Sequence, residues 1–161
     1  MVQDTTAPVI ICPADTIIDC TSLTTPGATG VAIATDNCDL APVISWSDVT
    51  VAGTCAQEYV ITRRWIATDA CQNAVTCYQT ITVQDTTAPV IVCPVDVTIL
   101  YSESTLPSNT GMASASDNCS VQNTLSYTDT YPLNPCPEYN ILSRTWTAID
   151  ECGNSSTCQQ L

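Results

Sequence analysis

The chain contains no histidine, no lysine and no phenylalanine, and its only cations are Arg63, Arg64 and Arg144 in 161 residues. Each absence removes a chemistry. Without histidine there is no Ser-His or Cys-His pair, and without lysine there is neither a Schiff base nor a Lys-Asn crosslink. Sixteen acids against three cations leave a formal charge of −13, which repels the phosphate backbone of a nucleic acid. No run approaches the roughly 20 consecutive apolar residues of a membrane helix, because Thr, Asp, Pro or Ser interrupts every one. No basic and apolar leader follows Met1, so a secretion signal is expected outside this sequence. The composition argues against an enzyme.

Cysteine, by contrast, is abundant, with eleven in the chain. No C-x-x-C pair occurs and no histidine could complete a mixed zinc site, so the spacing favours disulfides over metal. Disulfides persist in oxidising compartments, which predicts an extracellular location, secreted or on a cell surface.

Aligned with itself at a shift of 81 residues, the chain superimposes Cys12 on Cys93, Cys38 on Cys119, Cys55 on Cys136, Cys71 on Cys152 and Cys77 on Cys158. The same register matches Val-Gln-Asp-Thr-Thr-Ala-Pro-Val-Ile at 2–10 with 83–91, Gly30 with Gly111, Asp-Asn-Cys at 36–38 with 117–119, and Trp65 with Trp146. One register for the whole chain means a duplicated domain, with expected bounds 1–83 and 84–161 and almost no linker. Within each copy, apolar residues alternate with period two. Residues 59–69 put Ile61, Arg63, Trp65 and Ala67 on one face, and similar runs at 7–11, 15–20, 30–35, 43–49 and 75–83 are separated by Pro, Gly, Asn and Asp. Six or seven short strands per repeat predict a small β-sandwich.

The strings Asp-Thr-Thr-Ala-Pro-Val-Ile-Ile-Cys-Pro, Ala-Thr-Asp-Asn-Cys-Asp, Arg-Arg-Trp-Ile-Ala-Thr-Asp-Ala-Cys-Gln-Asn and Cys-Tyr-Gln-Thr-Ile-Thr-Val-Gln-Asp-Thr-Thr-Ala-Pro resemble hyalin-repeat-like (HYR-like) and related bacterial immunoglobulin-like modules. Such modules stand in tandem in surface proteins of Bacteroidetes-type bacteria, and the resemblance covers nearly the whole chain. It implies an all-β chain of two tandem immunoglobulin-like β-sandwich domains, stapled by disulfides and arranged end to end. It also implies a scaffold or adhesive role and carries over no catalytic residue.

In an immunoglobulin-like topology Cys12 faces Cys77 and Cys93 faces Cys158, while Cys38 meets Cys71 and Cys119 meets Cys152. Cys20 and Cys55 are left to pair. The counterpart of Cys20 is Tyr101, so Cys136 is expected to be unpaired or intermolecular. Six cysteines admit many other pairings, and sequence does not choose among them. The same topology gathers Asp4, Asp36, Asn37, Asp69 and Asn73 at one pole, and Asp85, Asp117, Asn118, Asp150 and Asn154 in the second repeat. Short Asp side chains in turns suit calcium, although they also shape turns without metal. Arg63 and Arg144 are expected as rim cations stacked on Trp65 and Trp146 or paired with Asp48 and Asp129. Candidate glycosylation sites are Thr5, Thr16 and Thr86, which resemble a Bacteroidetes O-glycosylation acceptor, and Asn118 and Asn154 in N-x-S sequons.

These features predict an extracellular structural or adhesive repeat of a head-to-tail fibre. After Cys158 only Gln159, Gln160 and Leu161 follow, against the longer run after Cys77, so units are expected to follow head to tail, either as one covalent array or with Met1–Gln3 of one chain completing the sheet of another. The alternative is a carbohydrate-binding sandwich, for which Tyr127 and Tyr131 are the best surface aromatics. Expected partners are further copies of the chain, with glycans or a host surface beyond them.

Overall fold

The computed structural model describes residues 3–131 and 141–161. The chain is all-β and divides into two compact units, Met1–Asp85 and Thr86–Leu161. Unit one contains β1 (Val9–Ile11), β2 (Thr16–Asp19), β3 (Ile33–Thr35), β4 (Val43–Ala52), β5 (Tyr59–Thr68) and β6 (Ala74–Gln84). A four-stranded sheet runs β2-β6-β5-β4 and a two-stranded sheet pairs β1 with β3. All neighbours are antiparallel except β2, which lies parallel to the second half of β6, Thr16 opposite Ile81 and Asp19 opposite Gln84. On β5 the inward residues Ile61, Arg63, Trp65 and Ala67 are buried and alternate with more exposed neighbours, as period two demands.

Unit two repeats the plan with β7 (Val90–Val92), β8 (Ser114–Ser116), β9 (Thr124–Thr130), β10 (Ser143–Ile149) and β11 (Ser155–Gln160). Its sheets are β11-β10-β9 and β7-β8. The segment 97–100, which matches β2 in sequence position, forms no strand here. In unit one that strand pairs with Ile81–Gln84, whose counterparts would fall after Leu161. The Val97 amide donates to the Leu161 carbonyl at 3.1 Å.

One element escapes the strand periodicity: a single helical turn, α1 (Pro26–Thr29) in unit one and α2 (Pro107–Thr110) in unit two. Four residues are too few to show a 3.6-residue pattern. Proline in the first turn presets φ and gives up an amide that has no helical partner there. Gly30 (φ 106°) and Gly111 (φ 99°) close the turns in a conformation that excludes a side chain, and a Cβ at Gly30 would come within 2.8 Å of Pro13 Cβ. The β5–β6 turn also needs positive φ, supplied by Gln72 (72°) and in the second unit by Gly153 (92°).

Candidate functional site: a buried arginine strut and an aspartate-framed loop pole

Arg63 projects inward from β5, where its register partners are Asp48 on β4 and Gln79 on β6. It is 1% exposed. Its Nε and one terminal nitrogen donate to Asp48 Oδ1 and Oδ2, both at 2.8 Å, a bidentate pair. Two further donors reach Thr29 Oγ1 at 2.8 Å and the Thr24 carbonyl at 2.6 Å, so the guanidinium ties the sheet to the segment around α1. Trp46 and Trp65 stack on it, their ring centroids 4.7 and 5.9 Å from the guanidinium carbon. The expected ion pair and stacking therefore occur together. The side chain is wholly interior, however, and not at a rim, and four of its five donors find partners there.

Arg144 repeats every contact with Asp129, Thr110, the Thr105 carbonyl, Tyr127 and Trp146. Its hydrogen bond to Asp129 pushes the arginine pKa up and, from the other side, holds the Asp129 carboxyl below its usual range. Beside each arginine lies a buried glutamine. Gln79 Nε2 donates to the carbonyls of Ala14 and Thr29, and Gln160 Nε2 to those of Val95 and Thr110. Sequence reasoning passed over Gln79, Gln160, Thr29 and Thr110. The signal was present: each pair is 81 apart, a polar identity on an inward face.

Cys12 and Cys77 form a disulfide that joins the chain just after β1 to β6, with Cα atoms 6.0 Å apart. Cys93 and Cys158 do the same in unit two at 5.8 Å. Cys20, Cys55, Cys119 and Cys152 are also disulfide-bonded. Cys136 lies outside the described residues. The expected Cys38–Cys71 bond is absent, and both residues are free and exposed. Each is set by its own aspartate: the Cys38 amide donates to Asp36 Oδ1 at 2.9 Å and the Cys71 amide to Asp69 Oδ1 at 2.8 Å.

Those turns belong to the acidic pole. Carboxylate oxygens of Asp4, Asp36 and Asp69 lie within 4.8 Å of one another. Asp69 is buried, accepting from the amides of Cys71 and Asn73 at Oδ1 and from Asn73 Nδ2 at Oδ2. The Asp39 and Cys38 amides hold the Asp36 carboxyl below its ordinary pKa, so it is anionic at neutral pH. Its Oδ2 is buried and has no hydrogen-bond partner among the described residues. Asn37 is exposed and its amide donates to Cys38 Sγ at 3.2 Å. Desolvation by neighbouring atoms, followed by the charges of Asp4 and Asp36, pushes the Cys38 thiol pKa up.

In unit two Asp117 accepts from the Cys119 and Ser120 amides, and Asp150 from those of Cys152 and Asn154. Asp85 is the last residue of unit one. Asn118 is exposed, as are Thr5 and Thr86, whereas Thr16 lies half-buried in β2. The Asn154 amide nitrogen is committed to Asp150 Oδ2 at 2.9 Å, which disfavours it as a glycan acceptor.

What fold and site together define is a disulfide-bonded all-β chain whose interior polar groups bind strands to one another. No helix among the described residues is long and apolar enough to cross a membrane. No protein-family model matches the chain, and no curated protein matches it.

Proposed function

We propose that the chain is an extracellular structural or adhesive module of a head-to-tail surface fibre, built of two HYR-like, immunoglobulin-like repeats. The observation that carries this is the duplicated strut. In both units the buried arginine, its aspartate, the helical-turn threonine and the inward glutamine cross-brace the strands, and a disulfide spans the same two segments. Parallel pairing of β2 on β6 supports the immunoglobulin-like assignment. The disulfides suit an oxidising, extracellular setting. A sugar platform needs free aromatic faces in a row; of the two candidates Tyr127 is engaged against Arg144 and Trp146, which leaves only Tyr131, which is exposed. An antibody raised against the chain is expected to decorate fibres or the outer surface of intact source material. Label confined to cell interiors would overturn the proposal.

Calcium at Asp4, Asp36 and Asp69 belongs to the same proposal. The donors fit a hard cation: three carboxylates converge, and the unpartnered Asp36 oxygen stays anionic, with backbone carbonyls and water left to complete six to eight ligands. Unit one is expected to bind calcium with a Kd on the order of 10⁻⁴ to 10⁻³ M, the range of extracellular modules. Millimolar calcium should then raise its melting temperature relative to chelator. Asp36→Asn keeps an oxygen for the two amides but removes the free anion, and should weaken binding about tenfold or more. Identical melting curves in calcium and in chelator would exclude the metal.

A further inference from the structure

Unit two contains a groove of about 640 Å³. Ile99, Tyr101 and Leu142 line it, together with the buried Arg144 and Gln160. The three apolar residues are the counterparts, 81 positions on, of Ile18, Cys20 and Ile61. In unit one those residues hold a strand: Ile81 and Val83 of β6, 0% and 1% exposed, form the buried cluster with Ile61 against which Ile18 and Cys20 pack. The repeat itself therefore shows what this set of side chains is shaped to cover. In unit two the same walls are open, and Tyr101 is 98% exposed.

We infer that this groove is a docking site for an extended, uncharged strand of another polypeptide, with Ile or Val at alternate positions and Thr between them. The pattern is that of Thr80–Gln84, which carries no charge and places Ile81 and Val83 on one face. Its register defines the seat. Ile81 stands opposite Ile61 on β5 and Thr16 on the parallel β2, and the Cys20 amide ends the ladder on the Gln84 carbonyl at 3.0 Å. The frame that leads into this register is already made in unit two: the Leu161 amide donates to Asp96 Oδ1 at 2.9 Å, as the Thr80 amide does to Asp15 Oδ1 at 2.7 Å. A docked strand thus runs parallel to residues 97–100 and antiparallel to residues 141–142. Its backbone bonds the 97–100 segment, and its two apolar side chains enter between Ile99, Tyr101 and Leu142. Charge selects the donor. Asp96 and Glu103 line the groove and Arg144 is already paired with Asp129, so an acidic strand is repelled. The charge of −13 disfavours a second copy of this chain for the same reason.

The inference gives the adhesive reading a partner and rests on it to that extent; binding is measured on the purified chain, so its failure is distinct from a failure of surface labelling. The probe is a synthetic peptide, Thr-Ile-Thr-Val-Gln with blocked termini, titrated into the full chain and followed by backbone amide NMR. The expected result is a set of saturable shifts confined to residues 97–101, 141–142 and 160–161, with a melting temperature that rises with peptide concentration. A peptide of the same composition ordered Thr-Thr-Ile-Val-Gln puts its two apolar residues on opposite faces and should bind about tenfold more weakly or worse. Equal binding of the two peptides, or shifts at residues 16–19 and Ile81 that signal exchange with the strand of unit one, would overturn the site. Amides left unchanged by millimolar peptide would overturn it too. Stabilisation by the same segment fused after Leu161 would then assign the groove to a strand carried in cis, and the same shifts on self-association without peptide would assign it to a second copy.

Discussion

Replacing Arg63 by methionine is expected to cost unit one about 3 kcal/mol, because it leaves Asp48, the Thr24 carbonyl and Thr29 Oγ1 without their shared donor. For a unit of this size that lowers the melting temperature by on the order of 15 °C. The cost is set at the lower end of the range for a broken buried pair, since Asp48 is 24% exposed and water can reach it. A second change, Asp48→Leu, removes the stranded carboxylate and should recover much of the loss. Urea titration of the four members of this cycle is the measurement; a single-variant loss below about 1 kcal/mol would mean the strut is ornamental to stability. Arg144 and Asp129 should behave alike and add a pH signature. The folded-state pKa of Asp129 is depressed, so its contribution is present above the unfolded value of about 3.9 and fades as pH falls through the lower folded value. Wild-type stability should therefore drop more steeply below about pH 4 than that of an Arg144→Met/Asp129→Leu variant.

Converting Cys12 and Cys77 together to alanine is expected to cost about 4 kcal/mol, since the bridge closes a loop of sequence separation 65 in the unfolded chain. The matched change at Cys93 and Cys158, with the same separation, should cost a similar amount. Either loss is a large share of the roughly 5 to 15 kcal/mol that holds a small domain folded. Denaturation of each variant followed by tryptophan fluorescence checks this, and an unchanged midpoint would refute it. In unit one Ile61, Ile81 and Val83 form a buried cluster packed by Ile18, Cys20 and Tyr59. In unit two Ile99, Leu100, Tyr101, Ile141 and Leu142 line a groove of about 640 Å³ together with Arg144 and Gln160.

Much of this protein could be derived by one-dimensional reasoning. The shift of 81 residues, the alternation along β5 and the turn residues between strands determined the duplication, the six strand positions of the first repeat and the inward face carrying Arg63 and Trp65. Those features are local or periodic, and a strand's two faces follow from its pleat alone. The acidic pole was legible for a related reason: Asp and Asn mark turns, and turns at alternate strand ends share a pole.

Tertiary structure decided the rest. Whether Arg63 sat at a rim or in the interior depended on Thr24 and Thr29, which lie 39 and 34 residues away and close its remaining donors. The roles of Gln79 and Gln160 depend on the helical turn, which sets the carbonyls of Thr29 and Thr110 against them. The cysteines divide the same way. That they oxidise follows from their number and the absence of histidine. Which of them bond is a matter of where two sulfurs stand, to within the narrow Cα separation that a disulfide tolerates. Cys38 and Cys71 are thiols while Cys119 and Cys152, whose amides are held by aspartates in the same way, are bonded, so the local turn does not set the outcome and the position of each sulfur in the folded unit does.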